Sequence, residues 1–288
     1  TKNSGQNKLS EKEKNQILLD LVSGCIFGGA IGDALGYPVE FMKYKSIINE
    51  YGDDGITEFD LRHSGKAEIS DDTQMTLFTA NGLLVGDTRG AMRGIQSWPR
   101  HYYMPAAIVT HIINRIVFGE KKKTLKNIVI EARDKVAEIF RGDKHLKELT
   151  DIIDLAIELS GNEEDDLDNI HRLGEGWVAE ETLGIALYCA LRHQDDFSAG
   201  VISAVNHKGD SDSTGAVTGN ILGALLGYDA IEEKWKTNLE LIDVIIEMAD
   251  DLCHGCQMSE FGHYEDPDWI RKYICMQWKD ERLAPAKQ

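Results

Sequence analysis

The sequence predicts an all-α protein, a compact bundle of many helices in a single domain. Apolar residues recur at intervals of three and four over most of the chain, the spacing that places them on one face of a helix. Strict alternation of apolar and polar residues, which is typical of strands, is almost absent. Only 5 of the 288 residues are proline, so long helices are rarely interrupted.

The helical spacing begins near Ile17 and continues to Gly36, which predicts one long first helix. Phe41–Glu68 is a long polar connection, and connections of that length are typically functional loops. We assign residues 1–288 to one domain and expect residues 1–14 and 280–288 to be flexible. The same spacing predicts further helices at Thr73–Leu84, Ala106–Phe118, Leu125–Phe140, Leu146–Leu159, Glu180–Arg192, Phe197–Asn206, Ser213–Leu226 and Leu239–Leu252.

The net charge of -18 limits the partners of this protein. A negative field repels phosphate backbones and anionic lipids, so we expect no nucleic acid bound through a general basic patch and no membrane partner. The five cysteines are odd in number and widely spread, which does not favour a disulfide framework. We expect no membrane-spanning stretch and no secretory signal, and therefore a cytoplasmic location.

Two runs of glycine at four-residue spacing predict two central helices in close contact. Residues four apart lie on one face of a helix, and each glycine in a helix interior destabilises it by about 1 kcal/mol relative to alanine. Close approach of the two backbones is the compensation that we expect. The runs are Gly24, Gly28, Gly32 and Gly36, and Gly215, Gly219, Gly223 and Gly227.

Two clusters of aspartate and hydroxyl residues precede predicted helices. Each alone is typical of a helix N-terminus, where serine caps the helix and aspartate complements its dipole. As a pair at the mouths of two central helices, they are suited to face each other, and their carboxylates would repel unless cations were bound. Such oxygen ligands favour Mg²⁺, Mn²⁺ or Ca²⁺, and two bridged ions form a recognised hydrolytic centre. The clusters are Ser70, Asp71 and Asp72, and Asp210, Ser211, Asp212 and Ser213.

Glu40 is a further candidate acid or base, because Val39 and Phe41 flank it and would partly remove it from water. On that segment alone, a surface glutamate in a loop is the simpler interpretation. Asp33, in the middle of the first helix, is predicted either to take part in helix packing or to hydrogen-bond a residue of the site. A zinc site around Cys253-His254-Gly255-Cys256 is a weaker alternative, since no second ligand pair has zinc-finger spacing.

Four stretches resemble the ADP-ribosylglycohydrolase family, which includes dinitrogenase-reductase-activating glycohydrolases and ADP-ribosylarginine hydrolases. They are GCIFGGAIGDALGYPVEF, ISDDTQMTLFTANGLL, LGEGWVAEETLGIALYCAL and AVNHKGDSDSTGAVTGNILGALLG. The resemblance implies an all-α fold, two bound Mg²⁺ (or Mn²⁺) ions, and hydrolytic removal of ADP-ribose from modified side chains such as arginine. It also implies that Glu40 is an acid/base or a further ligand, and that the metal ligands are Ser70, Asp71, Asp72, Asp210, Asp212 and Ser213.

The resemblance has one gap. Family members carry several tens of residues between the segment that ends at Ile95 and the helix that begins near Tyr103, and this stretch is missing near residues 99–103. Because it normally contributes a glycine-rich loop and part of the ADP-ribose pocket, substrate-binding residues are not assigned. Two alternatives stay open: a non-enzymatic ADP-ribose-binding or crystallin-like member of the family, and a two-metal phosphohydrolase on another helical scaffold.

Overall fold

A computed structural model of the chain describes residues 10–93, 104–119, 123–255 and 267–275. Within these ranges the protein is helical and contains no sheet, with one isolated parallel bridge between Ala67 and Leu239. The all-α prediction is therefore confirmed. The helices are α1 (Glu11–Gly36), α2 (Tyr44–Tyr51), α3 (Asp71–Arg93), α4 (Met104–Phe118), α5 (Leu125–Ile139), α6 (Leu146–Leu159), α7 (Asp166–Leu173), α8 (Ala179–Arg192), α9 (Phe197–Val205), α10 (Ser211–Leu226) and α11 (Ile242–His254), followed by short helical turns at Pro267–Trp269 and Ile270–Ile274.

Two helices were not predicted from the sequence. Helix α2 lies inside Phe41–Glu68, which we predicted to be a loop, and α7 follows α6 after a short turn. Both contain eight residues, too few for the helical period to stand out from a polar background. The other predicted helices are present, with ends that differ by a few residues, except that α3 continues nine residues beyond Leu84 to Arg93.

Helix α1 begins at Glu11, inside the stretch that we expected to be flexible. Ser10 and Glu13 form a capping box there, in which the Glu13 N–H donates to Ser10 Oγ and the Ser10 N–H donates to Glu13 Oε2 at 2.7 Å. By length and composition Glu11–Val39 is apolar enough to cross a membrane, so the prediction of no such stretch was wrong. More than half of its most apolar window is buried inside the protein, as in the core helix of a bundle.

The glycine runs bring α1 and α10 into close antiparallel contact, as the sequence predicts. A Cβ atom added at Gly32 would lie 1.9 Å from the carbonyl oxygen of Gly215, and one at Gly28 would lie 2.3 Å from that of Gly219. No side chain fits between backbones at that separation. Gly227 has a different role, because its φ of 87° ends α10 in a conformation that favours glycine.

Candidate metal centre

The antiparallel register of α1 and α10 places Glu40 beside the second aspartate cluster. A Cβ at Gly36, the last residue of α1, would lie 2.3 Å from the carbonyl oxygen of Ser211, the first residue of α10. Pro38 lies in the turn that follows α1, and the Glu40 N–H donates to the Gly36 carbonyl at 3.0 Å. The glycine contact between α1 and α10 therefore also fixes the position of Glu40 beside the start of α10.

Asp33 fixes the first cluster from within α1. Its carboxylate is fully buried and accepts hydrogen bonds from the backbone N–H groups of Ser70 and Thr73, each at 3.1 Å, and from the Thr73 hydroxyl. Burial raises the pKa of Asp33, and hydrogen bonds from Ser70 and Thr73 oppose that shift. A residue of α1 thus satisfies the free N–H groups at the start of α3, which confirms the predicted hydrogen-bonding role.

Carboxylates from α10 and from the turn after α1 converge at one point. Oxygens of Glu40, Asp210 and Asp212 all lie within 4.8 Å of one another. Asp210 is the N-cap residue of α10, yet its side chain makes no cap hydrogen bond to the first turn. Asp72 joins the group because the Ser213 hydroxyl donates to its Oδ2 at 2.9 Å. The two clusters therefore face each other, as the sequence predicts.

The remaining members of the first cluster lie at its edges. Ser70 is buried, and its Oγ accepts from the Asp72 N–H at 3.1 Å, which is the helix-cap arrangement that the simpler interpretation predicts. Asp71 is exposed at the first position of α3. Neither residue has an oxygen in the closest group of carboxylates, so their part in metal binding stays a prediction.

Burial and mutual repulsion raise the pKa values of these carboxyl groups. The pKa of Glu40 is raised to about 7 by burial and by the charges of Asp212, Asp71 and Asp72. Burial likewise raises the pKa of Asp72 to about 6, against the hydrogen bond from Ser213. The pKa of Asp212 also rises to about 6, through burial and its contact with Asp210. At neutral pH several of these carboxylates are therefore ionised and repel one another.

This donor set fits hard divalent cations. Four carboxylates and a serine hydroxyl meet where no lysine, arginine or histidine of the described chain forms an ion pair with them. Bound cations would remove the repulsion that raises the pKa values, and all-oxygen ligands favour Mg²⁺ or Mn²⁺ over zinc. The number of ions stays a prediction.

The alternative zinc site has less support. Cys253 is half-buried, and His254 Nδ1 lies 3.1 Å from Asp250 Oδ1, an arrangement typical of a pair on one helix face. Cys256 lies outside the described residues. The only groups of histidine, cysteine and acidic residues that approach metal-site spacing in the described chain are the carboxylates above.

A loop before α8 closes one side of the centre. The Asp210 N–H donates to the carbonyl of Glu175 at 2.9 Å, and a Cβ at Gly209 would lie 1.8 Å from that same oxygen. Gly209 has a φ of 142°, so glycine is required there by both space and backbone conformation. Lys208 Nζ donates to Glu175 Oε1 at 2.7 Å, and Trp177 Nε1 donates to Glu175 Oε2 at 3.2 Å. These contacts hold Trp177 in position.

Phe41 and Trp177 form an exposed aromatic pair at the edge of the centre. Their rings stack at 5.3 Å between centroids with 18° between planes, although 74% of Phe41 is exposed. The sequence led us to expect that Phe41 helps to remove Glu40 from water; in the structure most of the Phe41 side chain faces solvent. Phe41 also has a φ of 64°, a conformation that costs a non-glycine residue about 1 to 2 kcal/mol.

Sequence reasoning did not assign Trp177 or Phe41 to the site. The signal available was the position of Trp177 in a glycine-flanked segment directly before a helix. A cavity of about 420 Å³ opens beside the cluster, with Asp72, Asp210 and Ser213 at one end and Trp177 in its wall. The segment near residues 99–103, where we predict a family insertion to be missing, lies outside the described residues.

The protein is an all-helical bundle in which two aspartate clusters face each other at the N-termini of α3 and α10. The family model for ADP-ribosylglycohydrolase matches residues 14–103 and 96–261. The chain therefore belongs to the ADP-ribosylglycohydrolase family. The two matched parts overlap at residues 96–103, close to the predicted gap.

Two known proteins are similar to parts of this chain. An ADP-ribosylarginine hydrolase of Serratia proteamaculans is 34% identical over 86 residues, which are 30% of this chain and 23% of that protein. The match thus spans about a quarter of the length of that relative. A structure described as an ADP-ribosylglycohydrolase-related protein complex has 23% identity and a TM-score of 0.46, and the likeness covers 83% of this chain and 99% of that chain.

Proposed function

We propose that this protein is a Mg²⁺-dependent glycohydrolase that cleaves the bond between ADP-ribose and a modified acceptor, with arginine as the first candidate acceptor. The observation that carries the proposal is the convergence of Glu40, Asp210 and Asp212 within 4.8 Å, beside the bonded pair Asp72 and Ser213. Family membership supports the reaction class, and the similarity to an ADP-ribosylarginine hydrolase supports arginine as the acceptor.

The carboxylates divide into metal ligands and one acid/base. Two Mg²⁺ ions (or Mn²⁺) would neutralise the cluster and, as Lewis acids, orient and polarise the ribose that carries the scissile bond. The ligands that we assign are Ser70, Asp71, Asp72, Asp210, Asp212 and Ser213. Glu40 lies at the end of the turn after α1 and not at the N-terminus of a helix as the two aspartate clusters do. We therefore assign proton exchange to Glu40.

In the proposed reaction, the bond between the anomeric carbon and the acceptor nitrogen breaks and a bond to a water oxygen forms. Glu40 accepts the proton that the attacking water loses and passes it on to the departing nitrogen, so that Glu40 is regenerated and no net proton is taken up. Positive charge develops on the ribose ring as in other glycoside hydrolyses. The products are free ADP-ribose and the unmodified acceptor.

Release of ADP-ribose from an ADP-ribosylated arginine peptide tests the proposal. With Mg²⁺ the protein should release ADP-ribose over many turnovers, and with EDTA it should not. Asp212→Asn should abolish both Mg²⁺ binding and turnover, because it removes a ligand and half of a repelling pair. Asp195→Asn, an exposed carboxylate on the turn before α9, is the matched control and should leave both unchanged.

The same experiment distinguishes the non-enzymatic alternative, which the predicted gap motivates. A protein that binds ADP-ribose tightly with Mg²⁺ and releases none from the peptide would be a binding member of the family. Formation of a nucleoside monophosphate without cleavage of the glycosidic bond would instead indicate a phosphohydrolase. Either outcome would contradict the proposed function.

A further inference from the structure

We propose that Glu181 is a positioning residue for the metal centre, which it fixes through the peptide unit between Glu175 and Gly176 and through Asp210. This inference rests on the proposed function, because it concerns the Mg²⁺ ligand Asp210 that the function requires. Glu181 does not line the cavity beside the cluster, whereas Gly176 and Asp210 do. The contacts of Glu181 lead to the centre through the loop of residues 174–177, which precedes α8.

The Glu181 carboxylate is hydrogen-bonded to the backbone of this loop. Its Oε2 accepts from the N–H groups of Glu175 and Gly176, each at 3.1 Å. A glutamate at the third position of a helix commonly accepts from the N–H of the N-cap residue, which in α8 is Val178. Glu181 instead reaches two and three residues further back. No lysine, arginine or histidine of the described chain forms an ion pair with Glu181, so these backbone groups are the partners of its charge.

One peptide unit joins Glu181 to Asp210. The unit between Glu175 and Gly176 contains the Gly176 N–H, which donates to Glu181, and the Glu175 carbonyl, which accepts from the Asp210 N–H at 2.9 Å. Hydrogen bonds in such a chain polarise one another, so the carboxylate strengthens the bond to Asp210. The Thr182 hydroxyl donates to the Gly176 carbonyl at 2.7 Å and fixes the next peptide unit. The first turn of α8 thus holds the loop by both its N–H and its carbonyl groups.

Two glycines leave room for these contacts. A Cβ atom added at Gly174 would lie 2.4 Å from Glu181 Cδ, and one at Gly176 would lie 3.3 Å from Asp210 Cβ. Gly174 also has a φ of 132°, a conformation that favours glycine. The loop can therefore lie directly between the Glu181 carboxylate and the Asp210 backbone.

The position of Asp210 depends on this loop. Asp210 is the N-cap residue of α10, and its carboxylate lies within 4.8 Å of those of Glu40 and Asp212. Its N–H lies outside the hydrogen bonding of the helix and donates to the Glu175 carbonyl. A shift of the loop would therefore move the Asp210 backbone together with the carboxylate that it carries. Loss of a contact that orders a metal ligand typically weakens metal binding about 10- to 100-fold.

Amide hydrogen exchange in EDTA tests the path from Glu181 to Asp210 without metal or substrate. Glu181→Ala should increase the exchange rate of the Asp210 N–H about fivefold or more, because the Glu175 carbonyl that protects it is no longer held. Glu180→Ala is the matched control, since Glu180 lies in the same turn of α8 and makes no hydrogen bond with the described residues. It should leave the rate unchanged. Equal exchange at Asp210 in wild type and Glu181→Ala would overturn the proposal.

Calorimetric titration with Mg²⁺ tests the consequence for the centre. Glu181→Ala should weaken Mg²⁺ binding about 10- to 100-fold. Glu181→Gln removes the same charge but keeps an oxygen that accepts from both N–H groups, so its affinity should stay within about threefold of wild type. Should Glu181→Ala not fold, Glu181→Asp replaces it, because the shorter side chain does not reach both groups. Equal affinities of the alanine and glutamine variants, or no Mg²⁺ binding by wild type, would contradict the positioning role.

Kinetics separate a positioning role from a catalytic one, and this proposal from the proposed function. Because Glu181 acts by placing a ligand, the kcat of Glu181→Ala at saturating Mg²⁺ should return to within about threefold of wild type. A kcat that stays far lower would rule out a role through Mg²⁺ binding alone. Mg²⁺ affinities in the expected order without release of ADP-ribose would leave the positioning role and remove the proposed function. Release of ADP-ribose by wild type, with equal Mg²⁺ affinity in all variants, would do the reverse.

Discussion

The hydroxyl of Ser213 donates a hydrogen bond to Asp72 Oδ2 at 2.9 Å and so joins the N-termini of α3 and α10, which are 141 residues apart in sequence. The bond has an ionised acceptor and is therefore among the stronger kinds of side-chain hydrogen bond. The bond holds the two aspartate clusters together, although their buried carboxylates carry like charges and repel one another. Both residues are also predicted metal ligands, so the same contact orders the oxygens before a cation binds.

Ser213→Ala should therefore weaken Mg²⁺ binding by about 10- to 100-fold, the range that is typical when an ordering contact of a metal site is lost. Ser213→Thr keeps the hydroxyl and is the matched control, with binding close to that of wild type. Isothermal titration calorimetry with Mg²⁺ measures both. Equal Mg²⁺ affinity in Ser213→Ala and wild type would remove Ser213 from the centre.

Two glycines, one inside the contact between α1 and α10 and one outside it, should respond in opposite ways to substitution by alanine. Gly32→Ala places a Cβ 1.9 Å from the Gly215 carbonyl oxygen and should destabilise the protein by more than about 2 kcal/mol, because two backbones must move apart. Gly82→Ala lies in α3 with open space around its Cβ and should stabilise by about 0.5 to 1 kcal/mol. Urea unfolding followed by circular dichroism gives both values, and similar free energies of unfolding would argue against the glycine contact.

Phe41 combines a strained backbone with an exposed ring, and two substitutions separate these properties. Phe41→Gly and Phe41→Ala both remove the stack on Trp177, but only glycine adopts a φ of 64° without strain. Phe41→Gly should thus be more stable than Phe41→Ala by about 1 kcal/mol. If the pair receives the guanidinium of an arginine acceptor, both variants should raise KM about tenfold, the size of a cation–π contact that is partly removed from water.

Thermal unfolding and steady-state kinetics test these two expectations. Trp177→Phe is the control for the ring contact, because it keeps an aromatic surface and should change KM less than Phe41→Ala. Equal stability of the two Phe41 variants would mean that the φ of Phe41 stores no strain. Unchanged KM in both would place the acceptor elsewhere.

Much of the fold follows from signals that are local in the sequence. Apolar spacing locates most helices, and the two glycine runs predict which helices touch, because each run marks a face that tolerates only a backbone neighbour. The second aspartate cluster lies at the start of one of those helices, α10, whereas the first lies at the start of a third helix, α3. Features that recur periodically in the sequence, or that are defined by a run of one residue type, could therefore be predicted.

Features that depend on one contact between distant segments could not be read in this way. Nothing around Asp33 indicates that its partners are Ser70 and Thr73, and nothing around Phe41 indicates a positive φ or a stack on Trp177. Each of these positions is set by tertiary packing that overrides local preference. The aromatic edge of the site therefore appeared only in the structure.

The raised carboxyl pKa values predict how stability changes with pH in the absence of metal. The pKa is raised in the folded protein to about 7 for Glu40 and to about 6 for both Asp72 and Asp212, against about 4 for such groups in an unfolded chain. Between these values the folded state binds more protons than the unfolded state, so the free energy of unfolding falls as pH rises from about 4 to about 7. The stabilisation is fully present below pH 4 and lost above the folded pKa values. In EDTA, the Tm should therefore be lower at pH 8 than at pH 5.5.

Mg²⁺ should reverse this trend, because it binds the ionised carboxylates and only the folded protein presents them together. At saturating Mg²⁺ the Tm should rise by about 5 to 10 °C at pH 8 and by clearly less at pH 5.5, where protons compete for the ligands. Asp212→Asn should flatten the fall in EDTA and remove the Mg²⁺ response, whereas Asp195→Asn should keep both. Other carboxylates of this acidic chain also titrate, so the difference between these two variants isolates the cluster. A Mg²⁺ response of equal size at both pH values, or one that survives in Asp212→Asn, would show that the cation binds away from these carboxylates.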